Sequence, residues 1–522
     1  MLIMMTPRLY VTMGVLLLSA CNFTRVEALP QWPTATTVRV LQATPVPTFD
    51  RQLRDVPTSE TEGLPLGECR LDANQPATSH TVTADIDYAQ RTASVAQEIR
   101  YLNREEVPLS QLLLNVEPNI WPGAFTLQSL SLGGVSAGYE LTGQRLVVEL
   151  PQALEPECAL VLELAFNLVV PPVGDGLDAY KGFFGYSPRQ LNLGHWLPTI
   201  AVRRNQDWVT REAVAIGEQE VLDAADWDVT IRITGALNTI RIAAPGEVTQ
   251  IAPLSWRFLH RNARDFSLSM SETFNVAEEQ LDSGVRVELY SFNDVVVQSD
   301  HGLIDSPAYA LTVASRSLAL YEDLYGAYPY ERMVVVQGDF PDGMEFSGLV
   351  FVGGEYFRGF LGDPASYLTI ITAHEVAHQW WYGKVGSDQA LSPWLDEALA
   401  TYSEYVFVEE YYPELKDWWW WFRVDQLEPE GYVDGTVYEF PTIRAYINAV
   451  YLRGVQMLHA LRADLGTEAF FDWLKRYADA GAGRVVTPEL FWSLLTPQQW
   501  ELTSVTRQAY LRQPQLVYLE NP

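Results

Sequence analysis

The sequence predicts two domains in succession, an all-β, sandwich-like one followed by an α+β one. Three observations carry that expectation. At 522 residues the chain exceeds what one ordinary core accommodates. Its composition, 48% hydrophobic and 12% aromatic, supplies enough apolar material for packed interiors. The period of its hydrophobic pattern also changes, after "DSGVRVELYSF", from two to between three and four.

The first segment precedes both domains. "MLIMMTPRLYVTMGVLLLSAC" carries one basic residue, Arg8, and then an apolar run from Leu9 to Leu18. The run is too short to span a bilayer and reads as a signal peptide over residues 1–20. Leu18-Ser19-Ala20-Cys21 resembles the bacterial lipobox. That resemblance implies lipidation of Cys21 and an extracytoplasmic, membrane-anchored lipoprotein; a plain signal and a secreted protein are the alternative. Residues 21–65, as in "LPQWPTATTVRVLQATPVPTF", are rich in Pro and Thr without an apolar period, and read as a tether.

Residues 66–276 read as the β domain. "SHTVTADIDYAQRTASVAQEIRYLN", "LVVELPQALEPECALVLELAFNLVV" and "WDVTIRITGALNTIRIAA" alternate apolar and polar residues and break at turn-formers. No catalytic pattern stands out there. Cys69 and Cys158 are compatible with a disulfide and equally with two separate thiols.

Residues 277–522 read as the α+β domain. "SPAYALTVASRSLALYEDLYGAYPY" has helical spacing and a Gly-x-Tyr-Pro stop, and "RMVVVQGDF" and "GLVFVGGEYF" are short strands. Asp363 and Pro364 suggest the start of the next helix and Gly383 its end. Ser392 and Pro393 suggest the start of another, running through "WLDEALATYSEY". Pro413 suggests a short helix around "DWWWWF", ringed by tryptophan and packed beside the cleft.

The balance of 35 basic against 66 acidic residues, a net charge of −31, disfavours nucleic acid as a partner, because a phosphate backbone needs clustered Lys and Arg. The chemistry is concentrated in "ITAHEVAHQWWYG". His374 and His378 are four apart and project from one helical face, so both imidazoles can reach one metal ion, with Glu375 placed to reach a water beside it. A tetrahedral site needs a third ligand. Eighteen residues past His378, Glu397 stands among Trp394, Leu395, Ala398 and Leu399, where a carboxylate needs a partner or a metal.

"HEVAHQWWYG", the eighteen-residue gap and "WLDEALATY" resemble the gluzincin zinc aminopeptidases, the family of aminopeptidase N and leukotriene hydrolase. The resemblance implies a thermolysin-like fold for residues 277–522. It also implies one Zn2+ per chain held by His374, His378 and Glu397, with Glu375 as general base and peptides as substrates. "DGMEFSGLVF" resembles the family's Gly-x-Met-Glu-Asn strand, which implies that Gly343, Met344 and Glu345 line the substrate, with Glu345 on its free amine. Phe346 stands where the family has asparagine. "AVYLRG" resembles the family's Tyr-x-Lys-Gly, which implies that Tyr451 stabilises the oxyanion; Tyr446 is the runner-up. The large C-terminal helical domain of longer members has no counterpart, which makes this a short form. Rival expectations are a zinc endopeptidase or epoxide-opening enzyme of related fold, and an inactive, membrane-tethered binding protein.

Overall fold

The computed structural model describes residues 69, 76–174, 180–211, 213–299 and 302–515. The expected signal peptide, the lipidation site Cys21 and the tether all lie outside the described residues. Among the described residues, no helix is long and apolar enough to cross a membrane.

The alternation in the first half does produce sheets. Thr78–Asp87 and Thr92–Leu102 form an antiparallel hairpin in which buried and more exposed residues alternate. They sit in an eight-stranded sheet in which Thr78–Asp87 pairs in parallel with Ala225–Thr234, and Thr92–Leu102 pairs with Ala159–Val169. Two four-stranded sheets accompany it, one built around Leu109–Asn115 and Arg145–Leu154, the other around Leu191–Leu193 and Leu268–Ser271. Cys69 and Cys158 are disulfide-bonded, which ties the chain before the first strand to the turn before Ala159–Val169.

The second half is organised by a five-stranded sheet in the order Asn275–Gln280, Arg286–Ser291, Arg332–Gly338, Leu349–Gly353, Gly343–Phe346. Arg332–Gly338 is buried along its whole length and paired in parallel on both sides, as expected of a strand covered on both faces. Gly343–Phe346 is an edge strand, antiparallel to Leu349–Gly353.

Helices α1 (Ser306–Tyr325), α2 (Gly354–Gly359) and α3 (Tyr367–His378) lie against this sheet, and α4 (Glu397–Tyr411), α5 (Lys416–Arg423), α6 (Ile443–Tyr446), α7 (Arg453–Leu465) and α8 (Thr467–Ala480) follow them in the chain. Helix α1 starts as its sequence suggests, with the Asp305 side chain accepting from Ala308 N, and stops at Gly326 with φ 90°.

Three helix ends differ from expectation. Ser366, not Asp363, caps α3, while Asp363 closes a local turn by accepting from Ala365 N. Gly383 does not end α3 in the left-handed region; the helix passes at Gln379 into a π-helical turn, Gln379–Lys384. Pro393–Leu395 forms only a 3-10 turn, so α4 begins at Glu397 itself. The tryptophan run is two-sided rather than a uniform ring. On α5, Trp419 is fully buried and Trp421 is 58% exposed.

Candidate active site

Helices α3 and α4 pack against each other and bring three donors to one point. His374 and His378 lie one turn apart, with their Nε2 atoms separated by 3.0 Å. Oε2 of Glu397, in the first turn of α4, lies 3.4 Å from His374 Nε2 and 3.7 Å from His378 Nε2. Ligands about 2.0–2.1 Å from a tetrahedral metal stand roughly 3.3 Å apart, so these spacings bracket what one ion requires. Glu397 Oε2 is buried without a hydrogen-bond partner, an orphan that such an ion would satisfy.

The far sides of both imidazoles are fixed. His374 Nδ1 is 2.8 Å from Glu404 Oε1, and His378 Nδ1 is 2.6 Å from Asp396 Oδ1. A carboxylate only accepts, so each Nδ1 carries a proton, which leaves each Nε2 as the atom able to give its lone pair to a metal ion at the centre. Glu404 is held in turn by Arg423 of α5 through two bonds of 3.0 Å, and Asp396 Oδ2 accepts from Gln389 Nε2 at 2.9 Å. Burial opposes charge on His374, but the carboxylates of Glu397 and Glu404 outweigh it and raise the imidazole; burial likewise opposes charge on His378, where Asp396 outweighs it. The electrostatics favour a cation here.

Glu375 points from α3 toward the edge strand. Burial pushes its carboxyl up to about 8, with the neighbouring imidazoles opposing the shift, and its Oε2 has no partner. Gly343 lies directly under it: a Cβ there would sit 1.9 Å from Glu375 Oε1. Tyr451 enters from the other side. Its ring lies parallel to His374 with centroids 6.1 Å apart, and burial first, then the charge of Glu397, pushes its hydroxyl well up. A second π-helical turn, Ile447–Leu452, aims it there; such turns are frequent at functional sites. Tyr446 is buried edge-on to Tyr451, with its hydroxyl end next to Gly217.

Alternation along the edge strand puts Gly343 and Glu345 toward the cleft and sends Met344 and Phe346 into the hydrophobic core. Phe346 packs edge-on against His195 from the β-rich half, an apolar seat that accounts for a phenylalanine at this position. Gln379, in the first π-helical turn, fixes the strand to α3 by donating to Phe346 O at 3.0 Å and accepting from Gly348 N at 2.8 Å.

Glu345 is not alone. One oxygen from each of Glu218, Glu345 and Glu397 lies within 4.8 Å of the others. The Gln389 side-chain amide donates to Glu218 Oε2 at 2.6 Å and reaches Glu345 Oε1 at 3.3 Å. Burial pushes the carboxyls of Glu345 and Glu218 well up, Glu345 next by the charge of Glu218 and Glu218 next by that of Glu397. A group with several N–H donors and a positive charge matches this pocket.

Of the residues expected from the sequence within the described region, His374, Glu375, His378, Glu397, Tyr451, Gly343 and Glu345 therefore gather at one place, whereas Met344, expected to line the substrate, turns its side chain into the core because alternation along the strand sends it to the opposite face. The sequence reading missed Glu218, which comes from the half in which nothing catalytic was expected, and the supporting residues Gln389, Glu404 and Arg423. Glu404 had a usable signal: it lies seven residues past Glu397, two turns along the same face of α4.

Residues 309–508 match the Peptidase family M1 domain. Aminopeptidase M1-D of Oryza sativa subsp. japonica is 27% identical over 218 residues, covering 39% of this chain and 25% of that protein. Endoplasmic reticulum aminopeptidase 1 of Homo sapiens is 30% identical over 225 residues, 40% and 23% of the two chains. The chain thus spans about a quarter of the length of these curated relatives. The crystal structure of an M1 zinc metallopeptidase from Deinococcus radiodurans covers 85% of this chain and 96% of its own, with a TM-score of 0.60 and 19% identity. That likeness is one of fold, a β-rich half followed by a mixed helical one.

Proposed function

Because its second half carries a peptidase family M1 domain, we propose that this chain is a zinc-dependent aminopeptidase that removes residues from the amino end of peptides. The observation that carries this reading is the convergence of His374 Nε2, His378 Nε2 and Glu397 Oε2 beside a second, carboxylate-rich pocket at Glu345 and Glu218. One Zn2+ per chain fits the three donors. When bound it would polarise the scissile carbonyl and acidify a water.

The remaining steps belong to the protein. Glu345 and Glu218 hold the substrate's free ammonium, which fixes the first peptide bond beside the metal site. The edge strand Gly343–Phe346 offers its backbone to an extended peptide. Glu375 takes the proton of the attacking water and returns it to the departing amine. The Tyr451 hydroxyl donates to the oxyanion that forms on the carbonyl. The lipobox resemblance adds that this would take place on the extracytoplasmic side of a bacterial membrane, with Cys21 as the anchor.

Turnover of a panel of aminoacyl anilides, with and without chelator, beside the N-acetylated forms of the same substrates tests the reading. Aminopeptidase action requires the free amine. Equal cleavage of the acetylated substrates would make this an endopeptidase, and purified protein without stoichiometric zinc affinity would make it a binding scaffold.

A further inference from the structure

On the aminopeptidase reading, we propose that Asp342 selects a basic side chain on the leaving side of the scissile bond. Peptides with Lys or Arg just after their first residue are then the preferred class.

The direction of the bound peptide follows from the edge strand. Its amine sits at Glu345 and its scissile bond under Glu375, which lies against Gly343. The chain therefore runs from Glu345 toward Gly343, antiparallel to the strand, and its next residues meet Asp342. From Glu345 to Asp342 the strand spans about 10 Å, and two residues of extended substrate cover about 7 Å. A lysine or arginine stem closes the rest.

Asp342 is an outlier. Its φ is 70°, in the left-handed region that favours glycine, and the Gly-x-Met-Glu-Asn pattern has glycine at this position. Its side chain is exposed and held from behind: the neutral Tyr356 hydroxyl donates to Asp342 Oδ1 at 2.9 Å. Its backbone is clamped as well, with its N–H donating to Glu355 Oε1 at 2.8 Å and its carbonyl accepting from Gly353 N at 2.7 Å. The nearby cation Arg423 is committed through both its bonds to Glu404. Tyr180 stands near, 47% exposed; burial raises its hydroxyl first, and the charges of Asp342 and Glu355 raise it further. An exposed, oriented carboxylate is suited to the charged end of a long cationic side chain.

A simple turn role for Asp342 makes a different prediction. Asp342→Gly suits the backbone better and Asp342→Asn keeps the shape, so neither disturbs a turn, while both remove the charge. The test uses the full zinc-loaded chain and tripeptides that share one first residue, chosen from the anilide panel, with Lys, Ala or Glu second or third. Each kcat/KM is divided by that of the matching anilide, which has no side chain beyond the scissile bond, so losses common to all substrates cancel. An exposed ion pair gained with Lys and a repulsion with Glu give a Lys-to-Glu ratio of about ten in the unaltered chain. The ratio should fall to about two in both variants and shrink at 0.5 M salt. A ratio near one in the unaltered chain, or one unchanged in both variants, overturns the role of Asp342 and leaves the aminopeptidase reading standing. Absence of anilide turnover overturns both.

Discussion

Gly343 lies so close beneath Glu375 that a single methyl group on it would come within 1.9 Å of the carboxylate oxygen. The Glu375 carboxylate, proposed as the general base, thus occupies space that only glycine leaves open. Gly343→Ala should push Glu375 aside, and a displacement near 1 Å costs on the order of 100-fold in kcat. Zinc content should stay stoichiometric, because no ligand moves. Glu375→Gln should also retain zinc and lose about 10³- to 10⁴-fold. Steady-state kinetics beside metal analysis checks both, and near-normal turnover in the Gln variant would remove Glu375 from the mechanism.

Glu404 acts through His374. Replacing it with Gln removes the carboxylate that fixes the Nδ1 proton and leaves Arg423 of α5 without its partner. Zinc affinity should fall about 10- to 100-fold. Competition with a chromophoric chelator measures this directly, and saturating zinc should recover most of the turnover.

Tyr451→Phe keeps the ring parallel to His374 and deletes only the hydroxyl. Loss of one oxyanion donor costs roughly 3 kcal/mol, or about 100-fold or more in kcat, with little change in KM. Tyr446→Phe should cost less than tenfold, since that hydroxyl is turned toward Gly217. A reversed order would exchange the two roles.

Acid should destabilise the fold through His80 and His260. Burial holds both imidazoles down to about 3; for His260 the Ser347 carbonyl opposes this and Arg332 adds to it. Unfolded, each protonates near 6.5. Below that pH the unfolded chain binds more protons than the folded one, so stability falls from about pH 6.5 toward 3, by about 1.4 kcal/mol per pH unit for each histidine. Denaturant titrations at pH 7, 6 and 5 should show a shallower decline in the variant with Gln at both positions, whatever its absolute stability. An identical slope would assign the acid sensitivity to other groups.

What could be read from the chain in advance was whatever depends on near neighbours. His374 and His378 declare themselves by four-residue spacing, and α1 by its cap and its glycine stop. Glu218 could not be found this way. It meets Gln389 across 171 positions, and the contact exists only once the β-rich half closes on the other. The two π-helical turns were also hidden, because each is a single short turn and the phase shift from one extra residue cannot be told from an ordinary irregularity of hydrophobic spacing. The cap of α3 went to Ser366 rather than Asp363 because the tertiary structure chose between two chemically adequate residues.

The widened turn at Ile447–Leu452 sets a limit on how this protein can be improved. Removing one residue from it would let α6 and α7 run on as one regular α-helix, a better-bonded backbone. It would also rotate everything downstream of the deletion by about 100° relative to α6 and uncouple the register of Tyr451 from that of its neighbours. The same rotation would carry Val455, Leu458 and Leu461 of α7 out of the core, so the fold cannot trade the widened turn for a regular helix without giving up both its packing and the placement of Tyr451 beside His374.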